Sequence, residues 1–242
     1  DTVRVSLSED PEAEIPVASM LVDYIEEKNG HDSIVAAVHP DTSIFEYERR
    51  KTQAVKHIGG SYPPAVVSNA QGDFNHAPDY ILDGNELVDQ SGVRYPVYSI
   101  HELHALLQDH AALKCLSLTY ADLNKELLSF LKSCNQTILV LSSSHLNSVG
   151  EMRAFFHLML REGIHAPVII HRKYDVEDLH ALQIKAAADI GALLLDGFGD
   201  GVLIEVDKQR AENRITPEEI SNVAFGILQA SRVRVTNTEY IS

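Results

Sequence analysis

An α/β fold is predicted, most simply a (β/α) barrel of the TIM type in irregular or incomplete form, and three observations predict it. Short β-branched runs alternate with amphipathic helical segments along most of the chain. Those runs are apolar throughout rather than alternating, as in parallel strands covered on both faces by helices. The 242 residues, 45% hydrophobic and 23% charged, have ordinary globular composition and are enough for one large domain or two small ones. An open, doubly wound parallel sheet is the alternative.

Residues 2–7 read as a strand. Asp10 is placed to N-cap a helix, and Pro11 occupies the first-turn position where proline is tolerated. Ile15, Ala18, Leu21, Val22 and Ile25 recur at helical spacing, and Asn29-Gly30 ends the helix. Residues 33–38 read as a buried strand and 43–50 as another. From 51 to 96 the chain is rich in Gly, Pro, Asn and Asp and reads as irregular. Within it, Asp83-Gly84 between apolar runs signals a hairpin.

Beyond residue 98 the alternation is clean. Helices are predicted at 99–110, 120–133, 148–163 and 175–188, and strands at 114–118, 137–142 and 167–171. Ser148 with Glu151 reads as a capping box, as does Thr216 with Glu219, there with Pro217 in the first turn. Two apolar runs, 191–195 and 201–206, flank a Gly/Asp-rich connection. A helix with Ile220, Val223, Ala224, Ile227 and Leu228 on one face follows, then a strand at 232–236.

The net charge of −15 argues against nucleic acid or an anionic membrane as a partner. No apolar run approaches the roughly 20 residues that span a bilayer. The segment after Asp1 has the wrong flanks for a signal peptide, so the chain reads as cytoplasmic. Cys115 and Cys134 lack C-x-x-C spacing and read as reduced, mostly buried thiols. The histidines, 12 in all, include His101 and His104 on one helix face and His165 and His171 bracketing a strand. No set has metal-site spacing, and structural roles are expected.

Two places invite an anion. Gly197, Gly199 and Gly201 lie in GFGDG, where glycine allows a phosphate close to backbone N–H groups. A tight turn needing positive φ explains the same glycines. In the first strand, Arg4 and Ser6 share a face. Arginine forks onto phosphate and serine adds a donor, although an exposed polar strand face explains the pair equally simply.

The opening run DTVRVSLSEDPEAEI (1–15) resembles the last strand and helix of the catalytic barrel of 4-hydroxy-3-methylbut-2-enyl diphosphate synthase. The runs GALLLDGFGDGVLIE (191–205), FGILQA (225–230) and TEYIS (238–242) resemble the same family in its long, three-domain form. The resemblance implies residues 1–30 as the end of that barrel, 31–235 as a barrel-like insert domain, and 236–242 as the link to an iron–sulfur domain. It also implies a parent enzyme of the non-mevalonate isoprenoid pathway. That enzyme reduces 2-C-methyl-D-erythritol 2,4-cyclodiphosphate with electrons from ferredoxin or flavodoxin, on a [4Fe-4S] cluster held by cysteines and a glutamate beyond Ser242. Arg4 and Ser6 are then implied as substrate-binding residues. Neither Cys115 nor Cys134 matches the ligand motif. The segment itself is expected to be a spacer, without metal and inactive alone. The competing expectation is an autonomous phosphate-binding regulatory barrel with its anion at Gly197, Gly199 and Gly201.

Overall fold

Eight short strands close into a barrel in the computed structural model, which describes residues 11–35, 46–134, 136–207 and 215–235. The strands are β1 Ala65–Ser68, β2 Tyr80–Asp83, β3 Glu86–Asp89, β4 Arg94–Ser99, β5 Lys114–Leu118, β6 Thr137–Leu141, β7 Val168–Tyr174 and β8 Gly201–Val206. All neighbours pair in chain order, and β8 closes on β1 in parallel. Only β3 runs against the others, because it is the return arm of one hairpin and the outward arm of the next. The barrel is therefore TIM-like but irregular, as expected.

Its two halves differ. From β4 onward each strand is followed by helix: α2 Leu103–Gln108, α3 Lys125–Ser133, α4 Ser148–Glu162, α5 Leu179–Ala186 leading to α6 Ala192–Leu195, and α7 Pro217–Ala230. From β1 to β4 there is none; the strands are joined by loops and tight turns. This half is the stretch expected to be irregular. It holds three whole strands and half of a fourth. The first three have four residues each, too few to show a period against the turn residues around them. The Asp83-Gly84 hairpin is present, with Gly84 at positive φ.

Other elements also differ from expectation. Residues 191–195 are helical: the chain passes from α5 through a π-helical turn, Ala187–Gly191, into α6. An apolar run of that length suits a buried helix as well as a strand. The 148–162 helix is capped by Asn147, whose side chain accepts from the Gly150 N–H, and not by a Ser148 box. The Thr216 box is formed as read. No strand occurs in 33–35, 46–50 or 232–235. The first predicted strand, with Arg4 and Ser6, lies outside the described residues, as do 36–45 and 236–242.

Inward-facing residues recur with period two. Ala65, Val67, Tyr80, Leu87, Tyr95, Cys115, Ile138, Val140, Ile169 and Leu203 fill the barrel. Outward residues such as Leu116, Leu139, Ile170 and Val202 meet Met152, Phe155, Phe156, Leu182 and Leu228 in the layer between strands and helices.

The amino-terminal end of the barrel is plugged. Val55 and Ile58 bridge to each other and join the interior cluster. Arg50 donates to the carbonyls of Ile164 at 2.6 Å and Ala166 at 3.1 Å. Burial pulls its guanidinium down to about 10 against the opposing pull of Asp200, which leaves it charged at neutral pH.

Candidate ligand site at the barrel mouth

With the floor plugged, the carboxyl-terminal mouth is the open end. TIM-type barrels carry their active sites there, since side chains from several strand ends and loops converge. A cavity of about 350 Å³ opens between the strand ends. Its lower wall is Val67, Leu87, Val97, Val140, Ile169 and Leu203. Its rim carries Asn85, Ser99, Glu102, Ser117 and His171.

The strand register places the polar rim. His171 is two residues beyond Ile169 on β7, and Glu205 two beyond Leu203 on β8, so both point inward above apolar neighbours. His171 Nε2 lies 3.5 Å from a Glu205 carboxylate oxygen. Interaction with His171 is the strongest influence on Glu205 and draws its carboxyl below the usual range; burial opposes it, and Lys173 and Asn69 reinforce it. Across the mouth, Glu102 accepts from the Ser99 hydroxyl at 2.7 Å and the Ser99 N–H at 2.9 Å. That capping box pulls the Glu102 carboxyl down in the same direction.

The chemistry of this rim is narrow. His171 and Glu205 form a pair able to exchange a proton with a bound molecule. Among the described residues, no Lys or Arg lines the cavity. Among the described residues, no three His, Cys, Asp or Glu converge as a metal site. The two cysteines do not suit an iron–sulfur cluster. Cys115 faces the barrel interior, fully buried, and burial pushes its thiol up to about 12. Cys134 caps α3 and contacts Thr137 Oγ1. His101, in the turn before α2, and His104, within it, are exposed, and His165 is at the floor against the Lys51 carbonyl.

The glycine loop lies at the other end of the barrel, ahead of β8. A Cβ at Gly197 would overlap the Glu48 carbonyl oxygen, and one at Gly199 would come within 2.6 Å of Ile170 Cδ1. Both have positive φ. The N–H groups of Gly197, Phe198 and Asp200 bond to the carbonyls of Leu194, Leu193 and Val168. The buried Asp200 carboxylate accepts from Thr52 Oγ1 at 2.9 Å, Val168 N–H at 3.0 Å and Arg49 at 3.2 Å. Gly197 and Gly199 thus each have a reason internal to the fold. Glu205 was not singled out from sequence. The signal was there: one carboxylate in an otherwise apolar strand, in phase with the inward residue two before it.

The resemblance read from the two ends of the chain runs through all of it. A 4-hydroxy-3-methylbut-2-en-1-yl diphosphate synthase (flavodoxin) of Parabacteroides distasonis is 40% identical over the whole chain, and one of Bacteroides fragilis 38%. The chain is similar to this synthase from end to end. It spans about two fifths of these curated relatives, 42% and 41% of their length. A chloroplastic ferredoxin-dependent synthase of Oryza sativa is 34% identical over half of the chain. No protein-family model matches. Among the described residues, no helix is long and apolar enough to cross a membrane.

Proposed function

We propose that this chain is the middle portion of a 4-hydroxy-3-methylbut-2-enyl diphosphate synthase, and that its barrel is a spacer between the catalytic barrel and the iron–sulfur domain. The parent reductively converts 2-C-methyl-D-erythritol 2,4-cyclodiphosphate to the open-chain diphosphate, in the cytoplasm, with electrons from flavodoxin or ferredoxin. The observation that carries the reading is similarity over the full chain to relatives more than twice as long. Residues 1–30 are the last strand and helix of the catalytic barrel, 31–235 the insert and 236–242 the link onward. The redox cluster belongs beyond Ser242, and no step of the reaction is assigned to Cys115 or Cys134.

Within the parent, Arg4 and Ser6 grip the substrate diphosphate, guanidinium by fork and hydroxyl by a single hydrogen bond. In the complete protein, Arg4→Ala is expected to raise KM at least tenfold without loss of iron, while the 242-residue chain alone shows no turnover. The gene is expected to continue past Ser242 with Cys-Pro-x-Cys. A gene that ends at Ser242, or turnover by the isolated chain, defeats the proposal.

A further inference from the structure

Four strands change character as they reach the carboxyl-terminal mouth. Their inward positions turn from apolar to polar over one period of two: Val97 to Ser99 on β4, Cys115 to Ser117 on β5, Ile169 to His171 on β7 and Leu203 to Glu205 on β8. A TIM-type barrel ordinarily fills its interior with layers of bulky branched side chains. Here the upper layer holds two serines, and with Val67, Val97 and Val140 below them a cavity of about 350 Å³ remains. That volume lies in the range of small-molecule sites, which are mostly apolar with a few placed polar groups.

The polar groups are held in position by the fold. Glu102, in the turn after β4, and Glu205, on β8, stand on opposite sides of the eight-strand ring. The Ser99 capping box fixes the first, and hydrogen bonding with Asn69 steadies the second. Both carboxyls are drawn below their usual range, so both are anions at neutral pH. Lys173, one step further out on β7, is matched by Asp207 at 3.9 Å. His171 lines the cavity, yet its Nε2 is shielded from solvent and makes no hydrogen bond among the described residues. Its 3.5 Å approach to Glu205 is longer than a hydrogen bond. A buried nitrogen of that kind is uncommon in a folded protein and calls for an explanation. The segment after helix α1, Pro11–Glu26, borders the same end on the side of β5 and β6, through His31 to Asn147 and Val35 to the Tyr120 hydroxyl.

We propose that the barrel mouth binds a small organic cation: an apolar chain or ring that carries a primary ammonium group. The apolar body lies against Val67, Val97, Val140, Ile169 and Leu203. The ammonium stays at the rim, where Glu205, Glu102 and the serine hydroxyls are acceptors for its three N–H donors. Low-dielectric walls focus the field of the two carboxylates on the cavity. A small turn of the imidazole toward the head group gives His171 Nε2 the hydrogen bond it lacks. This use of the barrel goes beyond a spacer role and does not depend on the parent's activity.

The test titrates the complete protein at pH 7 with hexylamine, hexan-1-ol and hexanoate, followed by isothermal calorimetry. The three share an apolar chain and differ in the head group. Hexylamine is expected to bind saturably, hexan-1-ol about tenfold more weakly and hexanoate not at all. Glu205→Gln should weaken hexylamine about tenfold, while Glu48→Gln, an exposed carboxylate at the plugged end, should leave it unchanged. Val140→Phe fills the cavity and keeps the rim, and should abolish binding in protein whose circular dichroism matches the parent. Heat that does not saturate, or equal binding of the alcohol and the amine, overturns the proposal. So does a loss on Glu48→Gln as large as on Glu205→Gln, or binding that survives Val140→Phe in folded protein.

Discussion

Replacing Asp189 by Asn keeps the shape of the side chain and removes its charge. The carboxylate has no solvent exposure and sits between Lys28 and Arg172, which are 13% and 11% exposed. Breaking a buried pair by removing one partner costs about 3–5 kcal/mol, because the other charge is left without compensation. Here two cations are left close together. The amide also cannot accept from Tyr24 and Arg172 as strongly, since charge-assisted hydrogen bonds are the stronger kind. With a urea m-value of about 3 kcal/mol per M, the unfolding midpoint of the 242-residue chain should fall by about 1 to 1.7 M. Lys28→Met tests the reasoning from the other side. Arg172 still neutralises the carboxylate, and the midpoint should fall by only about a third as much. The assay is equilibrium urea unfolding followed by far-ultraviolet circular dichroism. A fall below about 0.3 M for Asp189→Asn, the size expected of an exposed ion pair, would refute the argument. So would a larger loss for Lys28→Met than for Asp189→Asn.

Native protein treated with a thiol reagent at pH 8 should label Cys134 alone, because Cys115 is sealed in the barrel with its thiol pushed up to about 12; rapid labelling of both thiols would contradict a closed barrel. Gly197→Ala should destabilise by more than about 1 kcal/mol, as φ is positive and the new methyl meets the Glu48 carbonyl, whereas inorganic phosphate should leave the melting temperature unchanged. A saturable rise that Gly199→Leu abolishes would assign an anion role to the loop. Glu205 has a depressed folded pKa, so its stabilising contribution is present above the ordinary value of 4.5 and is lost as pH falls through the folded one. Glu205→Gln should therefore be less stable than the parent at neutral pH and equal to it in acid; a gap that persists in acid would place the effect in packing, not charge.

The second half of the barrel was legible because each strand is long enough to show as an apolar run and each helix carries its own start signal. Lys114–Leu118, Thr137–Leu141 and the Thr216 box need only neighbours in sequence to declare themselves. The first half was not legible. Strands such as Ala65–Ser68 bury four residues between prolines and a loop, and only closure onto β8 and β2 supplies their hydrogen bonds.

The sequence alone determined the α/β class, the spacing of the later elements, the Asp83-Gly84 hairpin and the likeness to the synthase at both ends. These are properties of local pattern, read by periods of two and 3.6 residues. Tertiary structure decided whether 191–195 is strand or helix. It also brought His171 beside Glu205 and Asp189 beside Lys28. Those outcomes depend on contacts between residues far apart in the chain. A lone Asp in a helix, or a lone Glu in a strand, carries no local mark of the partner that will neutralise it. Burial then makes the pairing obligatory, since an uncompensated charge in that layer is too unfavourable to persist.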